Sequence, residues 1–218
     1  MGSYFVTGTD TGAGKTFASV ALLHALRAGG RRAVGMKPVA SGCEATAEGL
    51  RNEDALALQA ASDPRPAYAL VNPFALPEPT APQIAAERAG VHVHLGPMLD
   101  ACRALQAMSD QVVVEGVGGW LAPMADGLDQ SALVKALDLP VILVVGLKLG
   151  CLSHARLTAR AIVADGCRLH GWIGSNVEGL EPRYIELVAR ALPVPCLGVL
   201  PQAPGADPAS LAAKLAVG

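Results

Sequence analysis

The 218-residue sequence has little charge of either sign and no apolar run long enough to cross a membrane. Its formal net charge is −2, so there is no electrostatic argument for binding nucleic acid or a membrane surface. The apolar stretch from Leu139 to Leu147 is far below the roughly 20 residues of a membrane span. The first apolar stretch is too short for a signal peptide. We therefore expect a cytoplasmic protein whose partners include neither nucleic acid nor membrane.

Cysteine pairs are also lacking. The cysteines are odd in number, scattered, and form no C-x-x-C motif: Cys43, Cys102, Cys151, Cys167 and Cys196. We interpret them as reduced thiols in the core or in loops and expect no zinc site. The sequence contains no repeat, heptad or low-complexity linker, and 51% of its residues are apolar. That composition supports a large core, so we expect one domain over residues 1–218.

The most informative segment is residues 4–16, where a short apolar strand enters a glycine-rich turn that leads into a helix. Backbone N–H groups of such a loop, with the positive end of the helix dipole, hold phosphate oxygens. Lys15 would reach the β- and γ-phosphates, and the Thr16 hydroxyl would bind Mg²⁺. The alternative is a turn that only caps a helix. Thr9 stands where the first glycine is usual and Gly8 precedes it, so the loop is either one residue longer or built differently at its start.

Apolar strands and amphipathic helices alternate along the rest of the chain. We predict strands at 33–36, 111–114, 141–145, 170–174 and 195–199, and helices at 15–28, 52–61, 80–89, 96–108, 128–138, 152–165, 182–192 and near the C-terminus. The proline-rich residues 62–82 carry little regular structure. Continuous apolar strands predict an α/β, P-loop NTPase-like domain with a mostly parallel sheet of about seven strands and helices on both faces. Right-handed crossovers place the loops after the strands at one edge, where ligands bind.

Two further loops reach that edge, after residues 36 and 114. Lys37 would supply a fixed positive charge beside a transferring phosphoryl group, with a solvated lysine as the alternative. Glu115 ends an apolar strand at the position where phosphate-loop proteins usually hold Mg²⁺ through an acidic residue, and a buried carboxylate without a cation would be costly. Asp54 begins a helix, and its spacing alone favours a role in complementing the helix dipole.

Taken in order, these segments resemble the dethiobiotin synthetase family, ATP-dependent cyclo-ligases of biotin biosynthesis. The matching segments are 4–11, 14–16, 37–42, 49–52, 54–56, 71–73, 78–80, 114–116, 118–120, 139–146 and 148–151. The Lys-Pro-Val-x-Ser-Gly and Glu-Gly-x-Gly-Gly loops together are far more specific than a phosphate loop alone. The family also has the longer glycine spacing seen here between residues 8 and 14.

The resemblance implies a reaction. The family's substrate is 7,8-diaminopelargonic acid, which CO₂ carbamylates on one amine. The carbamate oxygen attacks the γ-phosphate of Mg-ATP and gives a mixed carbamic–phosphoric anhydride. The second amine then closes the ureido ring and expels phosphate.

The resemblance also implies site residues. Catalytic roles fall to Thr11, Lys15 and Lys37, and the Mg²⁺ ligands are Thr16, Asp54 and Glu115. Nucleotide contacts are implied for Gly12, Ala13, Gly14, Lys15, Thr16, Phe17, Asp54, Glu115, Gly116, Val117, Gly118, Ser175, Asn176, Pro201, Gln202 and Ala203. Substrate contacts are implied for Thr11, Lys37, Ser41, Gly118, Gly150, Cys151, Leu152 and Ser153, with Tyr184 a weaker candidate.

The resemblance further implies a homodimer. In the family, residues 150–153 of one subunit receive the substrate tail whose amines lie at the other subunit's site. The alternative role for Ser153 is that it caps its helix.

Two regions depart from the family pattern. Gly12 stands where the family commonly has Glu, so any side-chain contact from that position is missing. The adenine loop usually shows Asn directly after a Gly-Trp strand, whereas here Ser175 precedes Asn176. Of the second base-side loop, 201–203, little but Pro201 is retained. Either Ser175 or Asn176 is therefore the predicted base contact.

Other phosphate-loop proteins are the alternatives. Switch and partitioning ATPases carry a signature lysine four residues before Gly14, where this chain has Asp10. A GTPase would need Asn-Lys-x-Asp after residue 145, and residues 146–150 contain no acidic residue. A cobyrinate-type amidotransferase ligase shares the loops but needs a C-terminal glutaminase domain, for which we expect no room in 218 residues.

Overall fold

The computed structural model describes residues 3–201, 205 and 207–216, which form one α/β domain. The strands of its main sheet are β1 (Tyr4–Gly8), β2 (Ala33–Met36), β3 (Gln111–Gly119), β4 (Val141–Gly146), β5 (Leu169–Ser175) and β6 (Cys196–Leu200). Their spatial order is β6–β5–β4–β1–β3–β2, and every neighbouring pair is parallel. The prediction of a parallel α/β sheet is confirmed. The expected count of about seven strands is slightly too high, because the other described strands form separate two-stranded pairs.

Helices connect these strands. They are α1 (Lys15–Ala28), α2 (Glu53–Ala61), α3 (Tyr68–Val71), α4 (Pro82–Ala89), α5 (Leu95–Met108), α6 (Gln130–Leu137), α7 (Cys151–Ala164) and α8 (Pro182–Ala191). The final helix is a 3₁₀ helix, Pro208–Lys214. Most predicted bounds agree within a residue or two, because the apolar periodicity that marks a helix in sequence also fixes its buried face.

Short strand pairs lie outside the main sheet, and sequence analysis missed them. Val39–Ala40 pairs with Phe74–Ala75, Glu44–Thr46 with Gly49–Arg51, and Pro123–Ala125 with Leu128–Asp129. Two or three residues show no detectable period, so nothing in the pattern indicated them. The expectation of little regular structure over 62–82 is therefore wrong in part, and the helix predicted from 128 begins later, at Gln130.

Both faces of the main sheet are covered. Phe5 of β1 belongs to an apolar cluster that includes residues of α5 and α6, whereas its neighbour Val6 belongs to one that includes residues of α1 and α2. Successive side chains of a strand point to opposite faces, which explains the division. A third cluster packs Trp172 of β5 against α7 and α8. The strands are apolar on both faces for this reason.

The parallel arrangement brings the predicted loops to one edge. Strand β1 lies between β4 and β3, so the loop after Gly8 is flanked by the loops after Gly146 and Glu115. The strand predicted at 111–114 is longer than expected, since β3 runs to Gly119. Its register with β1 shifts, so that Val6 lies opposite Glu115 and Gly8 opposite Gly119, and residues 116–118 form a bulge. We call this bulge the loop after Glu115. Strand β2 adjoins β3 and brings the loop beginning at Lys37 to the same edge.

None of the described helices is both long and apolar enough to cross a membrane.

Candidate active site

The phosphate loop, residues 8–16, joins β1 to α1. Gly12 and Gly14 have φ values of +80° and +84°, in the region that glycine adopts without strain, and Gly14 caps the helix. A Cβ atom on Gly8 would lie 3.0 Å from Cγ of Lys15, so the returning loop packs closely against Gly8. Gly8, one position before the usual place of the first glycine, is therefore the glycine that packs against the returning loop.

Lys15 is buried in this loop, and its Nζ donates to the backbone oxygen of Asp10 at 3.1 Å. Burial, with the nearby charge of Lys37, lowers the pKa of Lys15 to about 8, although Glu115, Asp54 and Asp10 oppose the shift. An anionic phosphate beside the amine would favour its charged form. With a pKa of about 8, Lys15 is mostly charged at neutral pH, and a bound phosphate would complete its protonation.

Lys37 lies at the centre of an ionic cluster. Its Nζ donates to Oε1 of Glu115 at 2.5 Å and to Oδ2 of Asp54 at 3.0 Å. The hydroxyl of Thr16 donates to the same Glu115 oxygen at 2.9 Å. We call Thr16, Lys37, Asp54 and Glu115 the ionic cluster. Thr16 comes from α1, Lys37 follows β2, Glu115 lies in β3, and Asp54 lies in the first turn of α2.

The members of the ionic cluster differ in burial, and their pairing sets the direction in which each pKa shifts. Glu115 is fully buried and Lys37 is 4% exposed, whereas the Asp54 side chain is 42% exposed. Burial opposes the charge of Lys37, but the Glu115 and Asp54 carboxylates outweigh it and raise the pKa of Lys37. Burial likewise opposes the charge of Asp54, and the Lys37 ammonium outweighs it and lowers the pKa of Asp54. The solvated-lysine interpretation of Lys37 is wrong, and Asp54 does more than complement a helix dipole.

The ionic cluster suits Mg²⁺, which prefers oxygen ligands. Thr16, Asp54 and Glu115 bring hydroxyl and carboxylate oxygens together, and Oε2 of Glu115 is buried without a hydrogen-bond partner. A cation would satisfy that oxygen. Within residues 3–201, 205 and 207–216, no three His, Cys, Asp or Glu side chains gather as a metal site. The hydroxyl and carboxylate oxygens of Thr16, Asp54 and Glu115 are donors of the kind that Mg²⁺ binds.

A cleft of about 700 Å³ opens beside the ionic cluster. Its walls come from the phosphate loop, the loop after β2, the start of α2, the segment before α4 and the loop after Glu115. Predicted residues that line it are Thr11, Gly12, Gly14, Lys15, Thr16, Phe17, Lys37, Ser41, Asp54, Val117 and Gly118. The structure thus brings the predicted phosphate and substrate residues to one cavity of a size that holds a small-molecule ligand.

Thr11 and Gly118 face each other across this cleft. A Cβ on Gly118 would lie 3.6 Å from Oγ1 of Thr11 and 2.9 Å from the Ala122 side chain, and Gly118 has φ +58°. A side chain at 118 would therefore clash with Ala122 and strain the backbone. Gly12 is exposed, and a Cβ atom there would meet no other described atom within 4 Å, so the position where the family has Glu is open.

Residues that support the loop after β2 were not assigned a role from sequence. The amide of Asn72 is buried and donates to the backbone oxygens of Lys37 and Phe74 at 2.7 and 3.2 Å. Asn52 caps α2, accepting from the N–H of Ala55, and also lines the cleft. An Asn before a helix is a recognisable cap signal, whereas nothing local indicates the contact of Asn72 with a strand end 35 residues away.

The base-side residues are arranged differently. Ser175 ends β5 and is buried close to Gly14, whereas the side chain of Asn176 closes a turn. Its amide donates to the backbone oxygen of Leu180 at 3.3 Å, and its Oδ1 accepts the Leu180 N–H at 2.9 Å. Pro201 follows β6 and is exposed. The predicted residues Gln202 and Ala203 lie outside the described part of the chain.

The predicted tail-binding segment, 150–153, begins α7. Gly150, with φ +93°, is the cap residue, and no side chain caps this helix. Because Gly150 occupies the cap position, the alternative role of Ser153 as the cap is not observed. Ser153 is exposed. Neither this segment nor Tyr184 is among the described residues that line the cleft. Lys148, just before the helix, pairs instead with Asp10 of the phosphate loop at 2.5 Å.

Solved structures share the fold. The cell division protein FtsY of Thermotoga maritima aligns over 100% of this chain and 69% of its own, with a TM-score of 0.51 and 18% identity. The MinC:MinD cell division complex of Aquifex aeolicus covers 94% of this chain and 82% of that chain, with a TM-score of 0.57 and 14% identity. At this identity the likeness concerns the P-loop NTPase fold alone.

Sequence relatives are much closer. A family model described as an AAA domain matches residues 2–210. The ATP-dependent dethiobiotin synthetase BioD of Xanthomonas euvesicatoria is 58% identical over 96% of this chain and 95% of the relative. The protein of the same name from Xylella fastidiosa is 58% identical over 99% and 97%, respectively. The chain therefore belongs to the ATP-dependent dethiobiotin synthetase family of biotin biosynthesis.

Proposed function

We propose that the protein closes the ureido ring of dethiobiotin from 7,8-diaminopelargonic acid and CO₂, with conversion of ATP to ADP and phosphate. Family membership supports the overall reaction. The observation that carries the mechanism is the position of Lys37, fixed between two carboxylates beside the phosphate loop. Such a buried cation suits stabilisation of a transferring phosphoryl group.

The proposed chemistry has three steps. One amine of the substrate adds to CO₂ and loses a proton, which gives a carbamate. A carbamate oxygen attacks the γ-phosphorus, the bond from that phosphorus to the bridging oxygen breaks, and ADP leaves. The second amine then attacks the carbamate carbon of the mixed anhydride and loses a proton, so that the ring closes as phosphate departs.

Positive charge is the main contribution of the side chains. Phosphoryl transfer requires charge neutralisation and in-line placement more than acid–base groups. Lys15 and Lys37 supply fixed charges on the phosphate-loop side, and the raised pKa of Lys37 keeps it protonated at neutral pH. Mg²⁺, held by Thr16, Asp54 and Glu115, would add charge neutralisation between the phosphates.

The substrate side of the cleft carries hydroxyl residues beside Lys37. We assign the diamine or its carbamate to Thr11 and Ser41, whose hydroxyl groups lie on the cleft wall with Lys37. Gly118 leaves room for close approach of the ligand to backbone. The hydroxyls orient the carbamate oxygen towards the phosphate loop, which is the in-line placement that transfer needs.

The nucleotide base belongs on the other side of the phosphate loop. Ser175 lies against Gly14, so a nucleotide whose phosphates fill the loop places its base towards Ser175 and Asn176. We assign ATP as the co-substrate on the basis of family membership. Base recognition in this proposal rests on position alone, because the Asn176 amide is engaged with Leu180.

We further propose a homodimer in which residues 150–153 of one subunit receive the substrate carboxylate of the other. Helix α7 directs the positive end of its dipole towards an anion at its start, and its first residues lie outside the cleft of their own chain. Mixing Lys37→Ala chains with Ser153→Glu chains tests the arrangement, since a shared site leaves one intact cleft in each mixed dimer. Activity should reappear on mixing. No recovery despite proven subunit exchange would place the tail within one chain.

The rival function is a nucleotide-dependent switch of the kind suggested by the fold neighbours. Asp10, at the position of the switch lysine, pairs with Lys148 within the same chain and supplies no cation to a neighbouring site. This observation favours the ligase.

Ring formation is the decisive test. Wild-type protein is incubated with diamine, bicarbonate and Mg-ATP, and dethiobiotin is identified by mass while phosphate release is followed. We expect phosphate and dethiobiotin in equal amounts, and only when diamine and bicarbonate are both present. Equal ATP turnover without diamine would identify a switch ATPase instead.

A further inference from the structure

Gln130, the first residue of α6, is fully buried against the loop that follows Glu115. Its Oε1 accepts the N–H of Val117 at 3.0 Å. Its Nε2 donates to the backbone oxygens of Gly119 at 2.7 Å and Trp120 at 3.1 Å. Only this orientation of the amide satisfies an N–H and two carbonyl groups together. We call these three hydrogen bonds the Gln130 clamp.

The clamp holds both ends of the cleft wall formed by Val117 and Gly118. The loop is shaped to receive it, because a Cβ on Gly116 would lie 2.1 Å from Oε1 of Gln130. A second anchor lies just beyond, where the indole N–H of Trp120 donates to Oδ2 of Asp165 at 2.6 Å. The cleft wall is thus fixed by buried polar contacts on the side away from the ligand.

The direction of the clamp has an electrostatic consequence. The oxygens of Gly119 and Trp120 accept from a fully buried side chain, so they face the protein interior. A carbonyl oxygen turned into the cleft would repel an anionic carbamate or phosphate. Gln130 itself is not among the described residues that line the cleft. Its effect on a ligand therefore passes through the loop.

We propose that Gln130 is a positioning residue that fixes the substrate wall of the cleft and thereby sets the KM for the diamine more than that for ATP. The inference rests on the proposed function, because it names the diamine as the ligand of this wall. The phosphate loop, residues 8–16, has its own backbone geometry, and the hydrogen bonds of the Gln130 amide all go to residues 117–120. The family resemblance also implies nucleotide contacts at 116–118, but most of the implied phosphate contacts lie in the phosphate loop, so nucleotide binding should depend on the clamp less than diamine binding does.

The test compares three variants. Gln130→Met keeps the length of the side chain and removes all three hydrogen bonds. Gln130→Glu keeps an acceptor for Val117 but sets a carboxylate against two carbonyl oxygens. The control is Gln59→Met, since Gln59 is a buried glutamine that donates to the backbone oxygen of Pro66 at 2.9 Å, away from the cleft.

We expect the diamine KM to rise about tenfold or more in both Gln130 variants, with the ATP KM within about threefold of wild type. In Gln130→Met, the backbone amides of residues 117–120 should exchange with deuterium faster than in wild type. Gln59→Met should change neither KM. A diamine KM within about twofold of wild type in either Gln130 variant would overturn the inference. So would equal rises in both KM values, which would indicate general loss of structure.

Failure of the proposed function would look different, because wild-type protein would then form no dethiobiotin. The exchange measurement needs no turnover, so it still tests whether Gln130 holds the backbone of residues 117–120. Faster exchange of residues 117–120 in Gln130→Met, with Gln59→Met unchanged, supports the positioning role. Unchanged exchange in Gln130→Met overturns it.

Discussion

The phosphate side and the base side of the predicted nucleotide site are organised very differently. On the phosphate side, Lys37 is paired with two carboxylates and Lys15 lies buried within its loop. On the base side, the Asn176 amide closes its own turn and Pro201 is exposed. The charged groups of the phosphate side are thus in place without a ligand, whereas the Asn176 amide of the base side is engaged with the backbone of Leu180.

The difference follows from physical cost. A buried charge must be paired in the folded protein, so the charged groups of the phosphate side hold one another in position without a ligand. A neutral amide at the surface is satisfied equally well by a backbone carbonyl, by water or by a base. The charged groups of the phosphate side are therefore preformed. The base-side amide can exchange its backbone partner for a base when a nucleotide binds.

The largest effect should come from the phosphate side. Lys37→Ala removes the central cation of the ionic cluster, and we expect kcat/KM to fall about 10²-fold or more. Phosphate release measured with saturating diamine and bicarbonate checks this. Because Glu115 would be left buried without its partner, the unfolding free energy should fall as well, by about 3–5 kcal/mol. Activity is therefore assayed at a temperature where circular dichroism shows the variant folded, and near-normal kcat/KM would remove Lys37 from the mechanism.

The next effect concerns metal dependence. Asp54→Asn removes one charged oxygen from the proposed Mg²⁺ site, and we expect the Mg²⁺ concentration for half-maximal activity to rise about tenfold or more. The matched control is Glu53→Gln, which removes the neighbouring charge from the same first turn of α2. Glu53 is exposed, so its loss tests the helix dipole alone. Equal metal dependence in both variants would return Asp54 to a dipole role.

The lowered pKa of Lys15 predicts proton uptake on nucleotide binding. With a pKa of about 8 in the free protein, Lys15 is largely neutral at pH 9. Phosphate anions favour its charged form, so Mg-ATP binding at pH 9 should take up a proton, and less should be taken up at pH 7, where Lys15 is already charged. Calorimetry in two buffers of different ionisation enthalpy measures the uptake. Lys15→Met should abolish it, and the same uptake in that variant would assign the proton elsewhere.

The sequence predicts the phosphate side well for a topological reason. Lys15 and Lys37 follow apolar strands and Glu115 follows the apolar run of β3, and parallel strands bring such positions to one edge whatever the details of packing. Asp54 is different, because its pairing with Lys37 depends on how α2 packs. Its spacing alone supports only a dipole role, and the family resemblance was needed to include it.

Positioning contacts escape sequence analysis because they carry no pattern. Gln130 and Asn72 are ordinary amides in sequence, and only the fold shows that each holds the backbone of a cleft loop. The short strand pairs at 44–51 and 123–129 are equally invisible, since pairing across a hairpin needs no periodicity.

The smallest effect should come from the base side. Asn176→Ala removes both hydrogen bonds to Leu180 but touches nothing in the ionic cluster, so kcat at saturating ATP should stay within about threefold of wild type. The ratio of kcat/KM values for ATP and GTP should fall, because a loosened turn discriminates less between bases.

Asn176→Asp is the matched control: it retains an acceptor for the Leu180 N–H and so keeps the turn, but lacks the amide donor. If Asp preserves the ratio and Ala lowers it, the turn sets base preference. If both lower it equally, the amide itself reads the base, and Asn176 leaves Leu180 when ATP binds. A kcat loss as large as that of Lys37→Ala would abolish the distinction between the two sides.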